Sequence, residues 1–177
     1  ISELADALRK HQYGGIVLLG QNVVTSEQTA QLVEDLQANN AAGAFSSNVP
    51  YLMAVDEEGG VVVRFSMGTR MTGSMAIGAT GENGEQNAYL TGQILGRECA
   101  ALGFNVDFAP SMDVNNNPAN PAIGVRSFSD DPEVVSRFGA AFIRGVFESG
   151  VIPTLKHFPG DGDTDIDTHL ATATINK

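Results

Sequence analysis

The amino-acid sequence predicts an α/β protein, part of a (β/α)8 TIM-type barrel, and three observations carry that prediction. Short apolar runs and amphipathic stretches alternate along all 177 residues. The apolar runs are continuous rather than period-two, the pattern of strands in a parallel sheet. Each run is followed by polar or charged residues: Gln21-Asn22, Asp56-Glu57-Glu58, Asp113 with Asn115, and Lys156-His157. In a barrel such strand ends converge on one face, whereas an open doubly wound sheet concentrates its chemistry near one switch point. A complete eightfold barrel takes roughly 250 residues, so the expectation is for some of its units only.

The elements follow in order. Ile1 to Gln12 places Leu4, Ala5 and Leu8 on one helical face, and Gly14-Gly15 ends that helix. Ile16 to Leu19 is a strand expected to be buried on both faces. Thr25 or Ser26 caps the next helix, where Leu32, Val33 and Leu36 recur at helical spacing. Tyr51 to Val55 is a second buried strand, and Arg64 to Gly84, without a clear period, reads as a long loop. A helix spans about Glu85 to Leu102 and stops at Gly103; Phe104 to Ala109 is a third strand, stopped by Pro110. Asn115 to Pro121 is a turn-rich loop. Asp131-Pro132-Glu133 opens a helix running to about Ser149, with Pro in its first turn, and Val151 to Leu155 is the fourth strand.

Composition limits the function classes. Ten basic against 21 acidic residues give a net charge of −11, which repels phosphate backbones and anionic lipid. Nucleic-acid and membrane-surface partners are therefore not expected, while neutral sugars are unaffected. No apolar run approaches the roughly 20 residues of a membrane span, and neither G-x-G-x-x-G nor G-x-x-x-x-G-K-[ST] occurs, so no nucleotide cofactor is indicated. The single cysteine, Cys99, reads as a small buried residue. Ile1-Ser2-Glu3-Leu4 has neither an initiator Met nor a signal pattern and begins as though mid-helix, so cytoplasmic and secreted or cell-surface placements both stay open.

The densest chemistry lies in Lys156 to His169, fourteen residues with one lysine, two of the three histidines and four carboxylates. Asp161, Asp163 and Asp165 have calcium-loop spacing, but an EF-hand needs Gly sixth and Glu twelfth, where Ile166 and Thr172 stand. A transition-metal site from His157, Asp167 and His169 lacks a third histidine and has Lys156 beside it. A solvated acidic loop fits the composition but leaves a lysine-histidine pair at a strand end unexplained. Acid/base and sugar-binding chemistry accounts for both. In Asp167-Thr168-His169 the carboxylate can accept from one ring nitrogen, fixing the tautomer and leaving the other nitrogen for proton transfer. Lys156 and His157 present donors suited to hydroxyl groups. Asp56, first beyond its strand, is placed to accept from them, and one of Glu57 and Glu58 reads as a surface charge. Arg64 and Arg126 are either structural partners of carboxylates or substrate contacts; His11 reads as a solvated helix residue without a role.

Four ordered motifs carry a resemblance. They are Val55-Asp56-Glu57-Glu58-Gly59-Gly60 with Arg64-Phe65, Gly103 to Pro110 with Met112-Asp113-Val114, Arg126 to Pro132, and Lys156 to His169. Together they resemble glycoside hydrolase family 3, in its β-N-acetylhexosaminidase branch, over nearly the whole chain. One departure is Asp161, where the family more often has His. The resemblance implies a (β/α)8 barrel that cleaves β-linked sugars with retention and needs no cofactor. It implies that Asp56, Arg64, Arg126, Lys156 and His157 hold the terminal sugar, with Asp167 and His169 as the acid/base dyad.

It also implies that residues 1–177 are an incomplete catalytic domain holding about the second to fifth strands. The family's nucleophile, an aspartate near the seventh strand, then lies outside this chain, and neither Asp107 nor Asp113 takes that role. The expected partners are an N-acetylglucosamine-containing oligosaccharide or muropeptide and the remainder of the barrel. A non-catalytic sugar-binding half-barrel and another family 3 activity, such as a β-glucosidase or phosphorylase, are the alternatives.

Overall fold

The computed structural model describes residues 2–11, 13–42 and 49–174. Its elements run α1 (Ser2–Lys10), β1 (Gly15–Val17), α2 (Ser26–Ala42), β2 (Leu52–Val55), α3 (Ser74–Gly78), α4 (Gly84–Ala101), β3 (Val106–Asp107), α5 (Pro132–Glu148) and β4 (Ile152–Pro153). The strands form one parallel sheet in the order β1-β2-β3-β4, so each strand pairs with its sequence neighbour after a helical crossover. This is the succession of βα units that the alternating pattern predicts.

Local signals start the helices where expected. Thr25 Oγ1 accepts from Gln28 N at 3.1 Å ahead of α2, and Asp131 Oδ1 accepts from Glu133 N at 2.9 Å with Pro132 opening α5. Gly103 follows α4 and Gly150 follows α5, both with positive φ. Helices α4 and α5 pack backbone to backbone: a methyl group on Gly92 would overlap the Phe142 carbonyl, and one on Gly145 the Tyr89 carbonyl. That close approach brings Leu95, Cys99, Phe138, Phe142 and Val146 into a core with Met53 and Val55 of β2. Cys99 is buried, as expected, and burial raises its thiol pKa far above the ordinary value.

The sheet has two unlike faces. Met53 and Val55 point into the helical core and are closed to solvent, whereas Val17, Leu52 and Ile152 share the other face and are half exposed. The expectation that Ile16 to Leu19 is buried on both faces is therefore corrected: Leu18 is buried, but Val17 and Leu19 are exposed. On the same face Ala54 and Val106, in the central strands, are buried. The paired segments of β3 and β4 are two residues each, shorter than expected. Ladder-like bonds continue past them, including Phe108 N to Val55 O (2.8 Å) and Thr154 N to Asp107 O (2.8 Å). Arg64 to Gly84 is also more ordered than a long loop, since it contains α3 and a 3-10 turn at Gly81–Asn83. A five-residue helix is too short for a periodic signal, and tertiary packing holds this one, with Gly78 pressed against the Phe128 carbonyl.

Candidate active site

Continuing the strand alternation past β2 and β4 brings Asp56 and Lys156 to the same sheet face at the carboxyl ends of the strands. There they meet. Lys156 Nζ lies 2.6 Å from Asp56 Oδ1 and 2.6 Å from Glu58 Oε1. Arg126 forks onto Glu58, Nε to Oε2 at 3.0 Å and Nη2 to Oε1 at 2.8 Å, and its Nη1 donates to Ala122 O at 2.9 Å. Arg64 Nη2 stands 3.7 Å from Asp56 Oδ2. Burial favours desorbing the charged Arg126 proton, but the Glu58 carboxylate outweighs it and raises the pKa above the ordinary arginine value.

The surface-charge reading of one of Glu57 and Glu58 is corrected, because Glu57 is 2% exposed and Glu58 4%. Glu58 is the carboxylate shared by Arg126 and Lys156. Glu57 Oε2 accepts from Arg64 N (2.6 Å) and Phe65 N (3.0 Å), so it shapes the loop that carries Arg64. Burial raises the Glu57 carboxyl pKa, and those two bonds only partly offset it. Asp107 lies beneath, fully buried, with Oδ1 accepting from Glu57 N at 2.9 Å and no hydrogen-bond partner for Oδ2 among the described residues. Its pKa is well above the ordinary carboxylate value, chiefly through burial.

His157 joins the cluster from its other side. Its Nδ1 is 2.6 Å from Asp113 Oδ2, and its Nε2 is 3.1 Å from Arg126 Nη2. A guanidinium can only donate, so Nε2 carries the lone pair and Nδ1 the proton. Asp113 also accepts from Ser111 Oγ (2.8 Å) and Asp161 N (2.7 Å). Burial pushes the Asp113 carboxyl up, but the bonds from His157, Asp161 and Ser111 outweigh it and hold the group below its ordinary value. A cavity of about 210 Å3 opens beside this pair, lined by Met112, Leu155, Lys156 and Phe158 among others.

Past Asp161 the chain is tied to the Asn115–Pro121 loop. Asn120 Nδ2 donates to Asp161 O (2.5 Å) and Thr164 O (2.9 Å), and Asn117 Nδ2 to Thr164 O (3.1 Å). The Asp167–His169 pair follows, with His169 Nδ1 2.7 Å from Asp167 Oδ1 and the His169 backbone N–H on the same oxygen at 2.9 Å. Those two contacts, the backbone one first, lower the Asp167 carboxyl pKa. The His169 side chain is 80% exposed, so Nε2 is open. Among the described residues no group of three or more His, Cys, Asp or Glu is placed to hold a metal ion.

Asp56, Arg64, Arg126, Lys156 and His157 are thus one contiguous cluster, and Asp167 with His169 form a second local pair. Sequence reasoning missed Glu58 and Asp113 as members of the cluster. Both lie within motifs already singled out, but the pairing that recruits them is long-range. The arrangement suits a neutral polyol. Lys156 and Arg126 each have an N–H beyond those bonded within the described residues, and Asp56 Oδ2 faces only the distant Arg64.

Comparison with known proteins assigns the family. The family model for the glycosyl hydrolase family 3 N-terminal domain matches residues 2–177. Beta-hexosaminidase A of Pseudoalteromonas piscicida is 42% identical over 177 residues, which cover 98% of this chain and 29% of that protein. A glycoside hydrolase family 3 β-N-acetylglucosaminidase from Paenibacillus sp. str. FPU-7 superposes with a TM-score of 0.92 at 43% identity, over 99% of this chain and 32% of that one. NagZ from Neisseria gonorrhoeae, solved in complex with N-trifluoroacetyl-D-glucosamine, superposes with a TM-score of 0.87 at 30% identity, over 98% of this chain and 50% of that one. This chain therefore spans between 29% and 50% of the length of these relatives, and it belongs to glycosyl hydrolase family 3, within the family's N-terminal barrel domain.

Proposed function

We propose that this chain is the sugar-holding and proton-transfer part of a β-N-acetylglucosaminidase that removes terminal β-linked N-acetylglucosamine, with retention, from peptidoglycan fragments or chitooligosaccharides. The observation that carries the reading is the Asp167–His169 contact at 2.7 Å, which engages Nδ1 and leaves Nε2 open. In this reading His169 Nε2 gives a proton to the leaving oxygen and later takes one from water, while Asp167 fixes the tautomer and offsets the imidazolium charge. Asp56, Arg64, Arg126 and Lys156 hold sugar hydroxyls, and His157 accepts one at Nε2 in place of Arg126. The named complex of the Neisseria relative with an N-acylated glucosamine supports the substrate class.

Retention requires a carboxylate on the opposite side of the glycosidic bond. Asp107 is closed to solvent and Asp113 is committed to His157 and Asp161, so neither is assigned that role. The nucleophile is assigned to the remainder of the barrel, and residues 1–177 alone are expected to be inactive.

The test is turnover of an aryl N-acetylglucosaminide by the full-length gene product beside its His169→Ala variant. The expected loss is about 10²–10⁴-fold in kcat, and unchanged turnover would sink the dyad assignment. Equal activity on the aryl glucoside would point to another family 3 activity. N-acetylglucosamine binding without turnover would point to a non-catalytic sugar-binding module.

A further inference from the structure

We infer that Asp113 is a positioning residue that locks His157 as a hydrogen-bond acceptor at Nε2 and, with its other oxygen, anchors the start of the segment carrying Asp167 and His169. This inference rests on the sugar-holding role proposed for His157. Asp113 follows β3, whereas His157 and Asp161 follow β4, so one carboxylate ties two strand ends together. Its Oδ2 accepts from His157 Nδ1 (2.6 Å) and Ser111 Oγ (2.8 Å), and its Oδ1 accepts from Asp161 N (2.7 Å).

The chemistry of these partners makes a carboxylate necessary. Two firm donors, an imidazole N–H and a backbone N–H, approach different oxygens, and only an ionised carboxyl offers an acceptor to both. The side chain is fully shielded from solvent, so water cannot replace a lost acceptor. An amide of the same shape fails on one side or the other. With its oxygen toward His157, its NH2 faces the Asp161 N–H. With its oxygen toward Asp161, its NH2 faces His157 Nδ1. That ring nitrogen must then become the acceptor, which moves the proton to Nε2. An Nε2–H would confront Arg126 Nη2, also a donor, and would no longer accept from a hydroxyl. Asp113 thereby reaches the sugar only through His157, and the proton-transfer pair only through the chain from Asp161 onward.

The test uses the full-length protein labelled with 15N-histidine, the His157 signals being identified by their absence in His157→Gln. The expected wild-type spectrum has the proton on Nδ1 and none on Nε2, and a proton on Nε2 overturns the inference whether or not any variant folds. In Asp113→Asn the proton is expected to shift toward Nε2. The kcat/KM for an aryl N-acetylglucosaminide is expected to fall at least about tenfold, with a raised KM, because a buried donor loses its acceptor. A merely structural role would lower the melting temperature of Asp113→Asn but leave tautomer and KM unchanged in the folded enzyme, and that result overturns the inference. A wild-type protein with no turnover but with His157 protonated on Nδ1 would sink the hydrolase reading while supporting this assignment of Asp113.

Discussion

Lys156 Nζ sits 2.6 Å from Asp56 Oδ1 and 2.6 Å from Glu58 Oε1, so one ammonium from the end of β4 holds together two carboxylates that follow β2. The three side chains are mostly shielded from solvent, where like charges repel strongly and a missing counter-ion is costly. Lys156→Met keeps an unbranched side chain one atom shorter and removes the charge. The expected result is a loss of about 3 kcal/mol in equilibrium urea denaturation of the full-length protein, with Arg126 left to neutralise Glu58 alone. Stability equal to the wild type would mean that the cluster is neutralised without Lys156.

Asp167→Asn separates orientation from charge in the dyad. The amide oxygen can still accept from His169 Nδ1, but it cannot offset an imidazolium. The kcat on an aryl N-acetylglucosaminide is expected to fall about 10²-fold with KM within about threefold, since the interaction is strongest in the transition state. The His169 contacts hold the Asp167 carboxyl below its ordinary value of 3.8. The favourable contact is thus complete above that pH and is lost as pH falls through the lower folded value. Activity of the wild type should consequently show no titration of Asp167 in the neutral range.

Asp107 gives a pH dependence of the opposite sign. Burial raises its carboxyl well above 3.8, so the folded state binds more protons than the unfolded chain. Its contribution is most favourable below 3.8 and declines as pH rises through the folded value. Asp107→Asn keeps an oxygen for Glu57 N and removes that penalty. The melting temperature of the variant relative to wild type is expected to rise as pH is raised above 3.8, and a flat difference would count against burial raising the Asp107 carboxyl.

Gly92→Ala tests the contact that seats α4 on α5. The added methyl group would strike the Phe142 carbonyl, a backbone atom with no freedom to rotate away. Overpacking of this kind costs about 1–3 kcal/mol, and thermal melts of the full-length protein should show it without a change in KM for the aryl substrate.

The sequence was most informative wherever a feature is local. Thr25, Asp131 with Pro132, Gly103 and Gly150 mark helix ends through bonds or φ values that span only a few residues. Asp167 and His169 lie two positions apart, so a hydrogen bond between them could be read from spacing, and His169 Nδ1 lies 2.7 Å from Asp167 Oδ1. The short helix α3 was not legible because its stability comes from packing against Phe128 rather than from a repeating apolar face.

The sequence alone therefore determined the βα alternation, the family motifs and the local pairing of Asp167 with His169, because caps, periodicity and an i, i+2 hydrogen bond depend on near neighbours. Tertiary structure alone decided which charges meet. Lys156 and Asp56 are 100 residues apart, Asp113 and His157 are 44 apart, and only the parallel sheet brings their strand ends together. The same packing decided that Glu58 is a buried ion-pair partner and Asp107 a buried acid, since whether a carboxylate is solvated depends on what folds over it.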